Sequence, residues 1–232
     1  MMVLRDWDLA LTVDHVLRGQ GADPALIRLR RPALADTAAW ALVEGVPLIE
    51  PAVLYRELEV EQVRHERLIL EGGGILTGPL VVQHLAGTKK VMVILCTIGN
   101  LLESVTAEVL QSDMLKGLAL DGLGSAAVEE LAIQACSNLE KQSQMQGLET
   151  TIPLSPGMIG WPVDPGQRQV FALVDGSEIG VCLNASLMMS PRKSLSLILG
   201  IGEQVKYQGR TCDFCSLKET CRYQDHYPEL NP

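Results

Sequence analysis

Aromatic side chains are scarce in this sequence: its 232 residues include 3 Trp, 4 Tyr and 2 Phe. A core of ordinary size must therefore be built from Leu, Ile, Val, Ala and Met. Hydrophobic residues make up 47% of the chain and charged residues 20%, a balance that excludes long disordered stretches. The length fits one substantial domain, or one domain with a short appendage.

Membrane-spanning runs and basic clusters are also missing. The longest apolar run, Val91 to Cys96, is far shorter than the ~20 residues that cross a bilayer. The net charge is −9, and the densest basic stretch, Arg28 to Arg31, indicates an edge strand or loop rather than a nucleic-acid-binding face. Charges at Arg5, Asp6 and Asp8 occupy the place of a signal peptide's apolar centre. We therefore expect a cytoplasmic protein that binds neither membranes nor nucleic acids.

Apolar spacing and turn residues predict interspersed helices and strands. The predicted strands are Arg64–Leu70, Lys90–Cys96, Gly180–Ala185 and Ser194–Ile201. The predicted helices are Ala38–Val43, a short one from Gly78–Pro79, Leu101–Gln111, Met114–Lys141 with a possible break at Gly122 or Gly124, and Gln167–Val174. The prolines and glycines of residues 153–166 exclude regular structure there. Without a regular βαβ rhythm, the fold class is α+β, with a mostly antiparallel twisted sheet and flanking helices.

Three cysteines near the end of the sequence form the clearest chemical motif, Cys212-x2-Cys215-x5-Cys221. In a reducing compartment such a cluster indicates metal or redox chemistry rather than disulfides. Metal ligation can stabilise a polar segment that buries too little apolar surface to fold alone. We therefore expect residues 206–232 to form a metal-binding tail on a domain of residues 1–205.

The type of ligand does not identify the metal, because thiolates bind both iron–sulfur clusters and zinc. We favour an iron–sulfur cluster of the 4Fe–4S type over zinc, and zinc over free or redox-paired thiols. The fourth cluster ligand would be Cys96, Cys136, Cys182, a non-protein group or an open iron position. For zinc, His226 would complete a Cys3His set. The spacing differs from the Cys-x3-Cys-x2-Cys pattern of radical S-adenosylmethionine enzymes.

A second motif is the proline- and glycine-rich segment Ser155-Pro156-Gly157-Met158-Ile159-Gly160-Trp161-Pro162. Its two prolines fix φ, and its two glycines let a ligand approach the backbone without meeting a Cβ. Taken alone, such a loop is more often structural than ligand-binding.

The order of motifs that follows the loop is more specific. The loop is followed first by Gln167-x3-Phe171-x-Leu173, then by Ile179-Gly180-Val181, and then by Met189-Ser190-Pro191-x2-Ser194-Leu195-Ser196. This order resembles the activation domain of cobalamin-dependent methionine synthase, with its Arg-Pro-Ala-Pro-Gly-Tyr-type loop and Met-x-Pro-x2-Ser-Val-Ser segment. The turn at Thr97–Gly99 and the helix through Glu130 also fit, so the resemblance spans residues 30–205.

The resemblance implies that the loop holds S-adenosylmethionine through Ser155, Pro156, Gly157 and Met158. It also implies that a helical glutamate, Glu129 or else Glu130, meets the ammonium group of this ligand. The chain departs from the family pattern at two loop positions, where Pro153 replaces the arginine and Met158 the tyrosine. Losing the arginine removes a bidentate partner for the ligand's carboxylate, and Arg168 or Arg192 would have to replace it.

The function implied by the resemblance is reactivation, in trans, of a corrinoid (cobalamin) methyltransferase by reductive methylation with S-adenosylmethionine. The partner would be a corrinoid protein or a methionine synthase without its own activation domain. The cysteine site would be the entry point for an electron, delivered by a donor protein. No catalytic acid or base is expected, because methyl transfer by displacement needs alignment above all. The alternatives are a non-catalytic corrinoid-protein adaptor with structural zinc, and a reductive activator that uses its cluster alone.

Overall fold

The computed structural model describes residues 1–205, 209–215 and 218–219. The strands are β1 Met2–Leu4, β2 Ala52–Arg64, β3 Arg67–Leu70, β4 Gly74–Thr77, β5 Lys90–Thr97, β6 Glu149–Thr150, β7 Cys182–Leu183, β8 Met189–Ser190 and β9 Ser194–Gly202. The helices are α1 Val13–Gly19, α2 Pro24–Arg30, α3 Pro32–Gly45, α4 Pro79–Leu85, α5 Leu101–Ser112, α6 Met114–Met145 and α7 Val163–Leu173.

A curled antiparallel sheet organises these elements. Its strands follow the order β4-β3-β2-β5-β9-β6, with β1 paired to β2. Each of these pairings is antiparallel, and β7 and β8 form a separate two-stranded ribbon. The predicted α+β class, with an antiparallel sheet and flanking helices, is confirmed.

Both faces of the central strands are buried, so the sheet divides the interior into two cores. On β5, Met92 and Ile94 face a core shared with α1, α3, α5 and α6. The alternate residues Val91 and Val93 face a second core, which α4, α7 and the segment around Trp161 complete. Burial on both sides explains why β5 is a continuous apolar run instead of an alternating one.

The longest helix, α6, runs unbroken for 32 residues, so the expected break at Gly122 or Gly124 does not occur. Gly122 is instead the crossing point with α1. A Cβ on Gly19 would stand 1.9 Å from the carbonyl oxygen of Gly122, which means that the two backbones touch. The glycine is therefore a packing residue that allows close approach of two helices.

Two predictions for the N-terminal part of the chain were wrong. Arg28 to Arg30 lie in α2 rather than in a strand or loop, because Asp23 accepts the N–H of Ala25 at 2.8 Å and Pro24 begins the helix. The strand predicted at Arg64–Leu70 is divided by a turn at His65–Glu66. Its first residue ends the long β2, which sequence reasoning missed, and the rest is β3.

The later elements differ mainly in length. The α7 helix begins at Val163, inside the segment expected to lack regular structure. Pro165 is tolerated there because the first turn of a helix has no intrahelical use for its N–H. The strand predicted at Gly180–Ala185 shrinks to Cys182–Leu183, and the helix predicted at Ala38–Val43 extends over the whole of α3. The predictions of α4, α5, β5 and β9 are confirmed.

Within the described part of the chain, no helix combines the length and the apolar character needed to cross a bilayer.

Replacing Gly122 with Ala is expected to destabilise the fold, although Ala favours helix by about 1 kcal/mol over Gly. A Cβ at this position would stand 2.8 Å from the carbonyl oxygen of Val16, so α1 and α6 would have to separate. We expect Tm to fall by roughly 4–8 °C, equivalent to about 2 kcal/mol for a chain of this size. Thermal unfolding followed by circular dichroism measures the change.

Gly124→Ala is the matched control on the same helix. Its Cβ would meet only side-chain carbons, with the flexible Lys193 at 3.2 Å and Leu102 at 3.4 Å. We expect an unchanged or higher Tm for this variant. Equal losses in the two variants would contradict a specific helix contact at Gly122.

Candidate functional site

The proline- and glycine-rich loop is a tight, internally bonded turn. The N–H of Gly157 donates to the carbonyl of Trp161 at 2.8 Å, and the N–H of Trp161 donates to the carbonyl of Met158 at 2.9 Å. Gly157 has a φ of +105°, a conformation that side chains with a Cβ disfavour. Met158 and Trp161 are buried in the second core, so the loop is fixed from beneath.

A side-chain network ties this turn to the sheet. The indole Nε1 of Trp161 donates to Oε1 of Gln169 on α7 at 3.2 Å. The same oxygen accepts the N–H of Thr77 at 3.0 Å, and Nε2 of Gln169 donates to Oγ1 of Thr77 at 2.6 Å. The loop is thereby held between α7 and the end of β4.

The loop also leaves part of a strand edge open. Leu154 and Ile198 exchange two backbone hydrogen bonds of 2.9 and 2.8 Å across β9. The next such pair in this antiparallel register would join Pro156 to Ser196, but proline has no N–H to donate. Among the described residues, none bonds the outer backbone edge of β9 at Ser196. Ser196 is itself buried, so this gap in the ladder lies beneath the surface beside the loop.

The two serines of the Ser-Leu-Ser segment are buried, and their side chains connect β9 to neighbouring elements by hydrogen bonds. Oγ of Ser194 donates to the carbonyl of Pro191 at 2.8 Å and accepts from Oγ1 of Thr97, at the end of β5, at 2.9 Å. Ser196 donates through Oγ to Oε1 of Gln167 on α7 at 3.1 Å. Sequence reasoning noted both serines and Gln167 as motif residues but gave Gln167 no role, because that role depends on a partner in β9.

The described part of the tail packs directly onto the loop. The N–H of Ile159 donates to the carbonyl of Phe214 at 2.9 Å, and Met158 forms a β-bridge with Cys215. The ring of Phe214 stands edge-on to His84 of α4, with centroids 4.6 Å apart. The two motifs that sequence analysis singled out separately are therefore neighbours in space.

Cys212 and Cys215 are free thiols at partly exposed positions of this docked turn. Residues Thr211–Phe214 form a single 3-10 turn, and the N–H of Cys215 donates to the carbonyl of Cys212 at 3.3 Å. Cys221 and His226 lie outside the described residues. The residues that are described contain no cluster of three or more His, Cys, Asp or Glu groups suited to a metal. The three-cysteine metal site stays a prediction.

The structure narrows the choice of a fourth ligand. Cys96 and Cys136 were candidates, but both are buried in the first core, across the sheet from the tail. Burial raises the pKa of the Cys96 thiol well above its usual value and that of Cys136 to about 12, so both stay protonated. Cys182 lies in a crevice beside Leu173, at the far end of α7 from the loop, about 16 Å of helix away.

Glu129 lies on α6, in a crevice that it shares with His15 and Arg18 of α1. Desolvation raises the pKa of its carboxyl, and the charge of Lys193 partly opposes the shift. The helix packs on the first face of the sheet, whereas Met158 is buried on the second. A ligand that touched both would have to pass around a sheet edge, and a role for Glu129 in binding stays a prediction.

The two candidate replacements for the missing arginine are already paired. Arg168 donates to Asp164 at 2.9 Å within α7, close to the loop. Arg192 donates to Glu103 at 2.9 Å through its side chain, and its backbone N–H donates to the second oxygen of the same carboxylate. Neither guanidinium is reserved for a ligand carboxylate.

Replacing Glu129 with Gln should stabilise the protein increasingly as pH rises. Because the pKa of Glu129 is raised above 4.5 by folding, the folded state binds more protons than the unfolded state between the two values. Stability from this group is therefore lost as pH increases through that interval, and the amide removes the loss. Urea unfolding between about pH 4 and about pH 7 measures the difference.

Glu130→Gln, at the neighbouring position of α6, is the control for a general change in charge. It keeps an oxygen that can accept from Gln134, as Glu130 does at 2.8 Å. A stability gain for Glu129→Gln that stayed constant with pH, or that Glu130→Gln reproduced, would count against a proton retained at Glu129.

Neither a protein-family model nor a curated protein matches this sequence. Among solved structures, the crystal structure of the MetH reactivation domain bound to AdoHcy is similar to this chain, with a TM-score of 0.67. The match covers 90% of this chain and 81% of that chain, at 11% sequence identity. Such a likeness shows the fold alone, and the chain has the fold of a methionine synthase activation domain.

Proposed function

We propose that this chain reactivates a corrinoid methyltransferase in trans by reductive methylation with S-adenosylmethionine. The loop Ser155–Met158 and the open edge of β9 would hold the methyl donor. The cysteine-bearing tail would bring in the electron. The partner would be a corrinoid protein or a methionine synthase that lacks an activation domain of its own.

One observation carries this proposal: the described part of the tail packs on the loop, with Ile159 hydrogen-bonded to Phe214 at 2.9 Å and Met158 bridged to Cys215. An electron delivered at Cys212 and Cys215 would therefore arrive beside the proposed methyl donor. Such proximity suits a reaction in which reduction and methyl transfer are coupled. A structural clip would need no particular neighbour.

The methyl-donor half is supported by the fold. The similar MetH reactivation domain is described as bound to AdoHcy, which is S-adenosylmethionine after loss of its methyl group. In this chain the corresponding order of motifs produces a rigid loop beside β9, where the backbone N–H and C=O groups of buried Ser196 have no partner among the described residues. Those groups suit the polar ends of a small zwitterion.

The proposed reaction balances as follows. One electron from a donor protein reduces the partner's Co(II) to Co(I), and Co(I) attacks the methyl carbon with its electron pair. The carbon–sulfur bond breaks, the sulfur keeps its electrons, and AdoHcy leaves. Because methylation consumes Co(I), it draws the unfavourable reduction forward. This chain's residues would bind and orient the donor, and no acid or base is required.

The metal half rests on the thiol motif. Cys212 and Cys215 are unbridged, partly exposed and close in sequence on one turn, which fits soft-metal ligation with Cys221 as the third thiolate. An iron–sulfur cluster would supply one-electron transfer. A zinc ion would supply only structural stabilisation.

A second function, a corrinoid-protein adaptor with structural zinc, is favoured by one observation. Pro153 stands where the resemblance expects an arginine, and the two candidates for its role, Arg168 and Arg192, are paired with Asp164 and Glu103. A chain that bound its partner without handling a methyl donor would have no use for that arginine. The two functions differ in ligand binding and in metal content.

The wild-type chain is expected to bind S-adenosylmethionine and AdoHcy, and Gly157→Ala is expected to weaken both at least ~10-fold, equivalent to about 1.4 kcal/mol. A Cβ at φ +105° strains the loop and would contact Val163 at 3.3 Å. Gly147→Ala is the matched control, because its φ is also positive, at +73°, and its Cβ would meet nothing within 4 Å. Isothermal titration calorimetry measures both. No heat from the wild type at millimolar ligand would end the methyl-donor half.

Protein purified without oxygen is expected to be coloured and to contain about four irons per chain. Cys212→Ser and Cys215→Ser should lose the metal, whereas Cys182→Ser, at the far end of α7, should retain it. Visible absorbance with iron, sulfide and zinc analysis provides the measurement. A colourless protein with one zinc per chain would refute electron entry at the tail and support the adaptor.

A further inference from the structure

Gln167 is an unusual residue beside the second core because its amide is almost fully buried, yet only the oxygen is hydrogen-bonded to a residue that the structure describes. The residue is 7% exposed, and its Oε1 accepts a hydrogen bond from Oγ of Ser196 at 3.1 Å. Its Nε2 donates to no residue that the structure describes. The nitrogen is also not among the fully enclosed unpaired polar atoms of that part of the chain, so it keeps contact with solvent.

The buried amide nitrogen of Gln167 is expected to have a hydrogen-bond acceptor. Polar groups that leave water are normally hydrogen-bonded, because an unmade bond is costly in a low-dielectric interior. If this position served only for packing, an apolar side chain such as Leu or Met would suit it better. Val170 and Leu173 are apolar residues of this kind on the same face of α7. The retained nitrogen is therefore available for a group that arrives from outside.

The position of Gln167 is at the candidate site. The preceding residue, Gly166, lies against the loop: a Cβ there would stand 2.8 Å from Cβ of Pro156. On the other side, Ser196 belongs to the open edge of β9, in register with Pro156. Gln167 thus lies between the loop and the part of β9 whose outer edge has no partner among the described residues.

The surroundings favour an anionic acceptor. The first turn of α7 has Pro162 as its N-cap and no side-chain cap, so its leading N–H groups present a positive dipole end near the loop. Asp164 is the one acidic side chain of that turn, and Arg168 pairs with it at 2.9 Å. An amide donor beside a helix N-terminus suits a carboxylate.

We propose that Gln167 binds, through Nε2, the carboxylate of the α-amino acid part of the ligand. It would thereby take over the role of the arginine whose place is occupied by Pro153. This rests on the proposed methyl-donor binding. Ser196 is then a positioning residue, which holds the amide by its oxygen and turns the nitrogen toward the ligand. The ligand class is an S-adenosyl amino acid, and its amino acid end lies at α7.

The test uses the full chain and two ligands that differ by the amino acid part. Gln167→Glu keeps the oxygen that accepts from Ser196 but replaces the donor with a second, charged acceptor. AdoHcy affinity should fall at least ~30-fold by calorimetry at neutral pH, equivalent to about 2 kcal/mol. The affinity for 5′-deoxy-5′-methylthioadenosine, which has no carboxylate, should change less than ~2-fold. Gln83→Glu, an exposed position on α4, controls for added charge.

Two further readouts separate contact from mere structure. The AdoHcy affinity of Gln167→Glu should recover as pH is lowered, because protonation of the new carboxyl restores a donor. Ser196→Ala should lower AdoHcy affinity by a smaller factor and also spare methylthioadenosine. This second variant keeps the proposal testable if Gln167→Glu does not fold.

These measurements distinguish a failure of the proposed function from a failure of the inference about Gln167. A wild-type chain that binds neither ligand would overturn the proposed function together with this inference. Wild-type binding that Gln167→Glu leaves unchanged would overturn the inference alone. Equal weakening of both ligands would also overturn it, because the amide would then serve the nucleoside or the shape of the pocket.

Discussion

The missing N–H of Pro156 is the constraint on which the candidate site depends. The chain runs beside β9 as far as the Leu154–Ile198 pair, and the ladder stops at the next hydrogen-bonded position. Gly157 then turns the backbone with a positive φ, away from the sheet. The proline ring at position 156 thus has two results. The backbone of buried Ser196 has no partner among the described residues, and the loop that follows has an outer side available to the tail.

Burial on both faces of the sheet decides how far apart the other chemical groups lie. Cys96 and Cys136 are enclosed with α6 on one side, while Met158 and Phe214 pack on the other. The strands β5 and β9 separate the two groups as a continuous wall of backbone. The thiols of this sequence therefore lie in quite different settings, and of the five cysteines that the structure describes only Cys212 and Cys215 lie beside the loop.

Much of the fold was predictable from local patterns, and the site only in part. β5 and β9 carry apolar runs between turn residues, so their existence and bounds followed from the sequence. Gly122 was misinterpreted as a breaker because its purpose lies in α1, and the start of α7 was missed because proline suits a first turn as well as a loop. The loop motif was identified by its order among other motifs. Its contact with Phe214 and the role of Gln167 depend on residues distant in sequence, which no local pattern encodes.

The hydrogen bond between Ile159 and Phe214 has a thermodynamic consequence for the whole C-terminal segment. Any occupant that shifts the loop must change the free energy of tail docking, and by linkage any occupant of the tail must change the affinity of the loop by the same factor. The coupling needs no moving domain and no long-range pathway, because Met158 and Ile159 of the loop directly contact Cys215 and Phe214 of the tail. The tail therefore acts as an intramolecular effector: its docking changes the ligand affinity of the loop to which it is covalently linked.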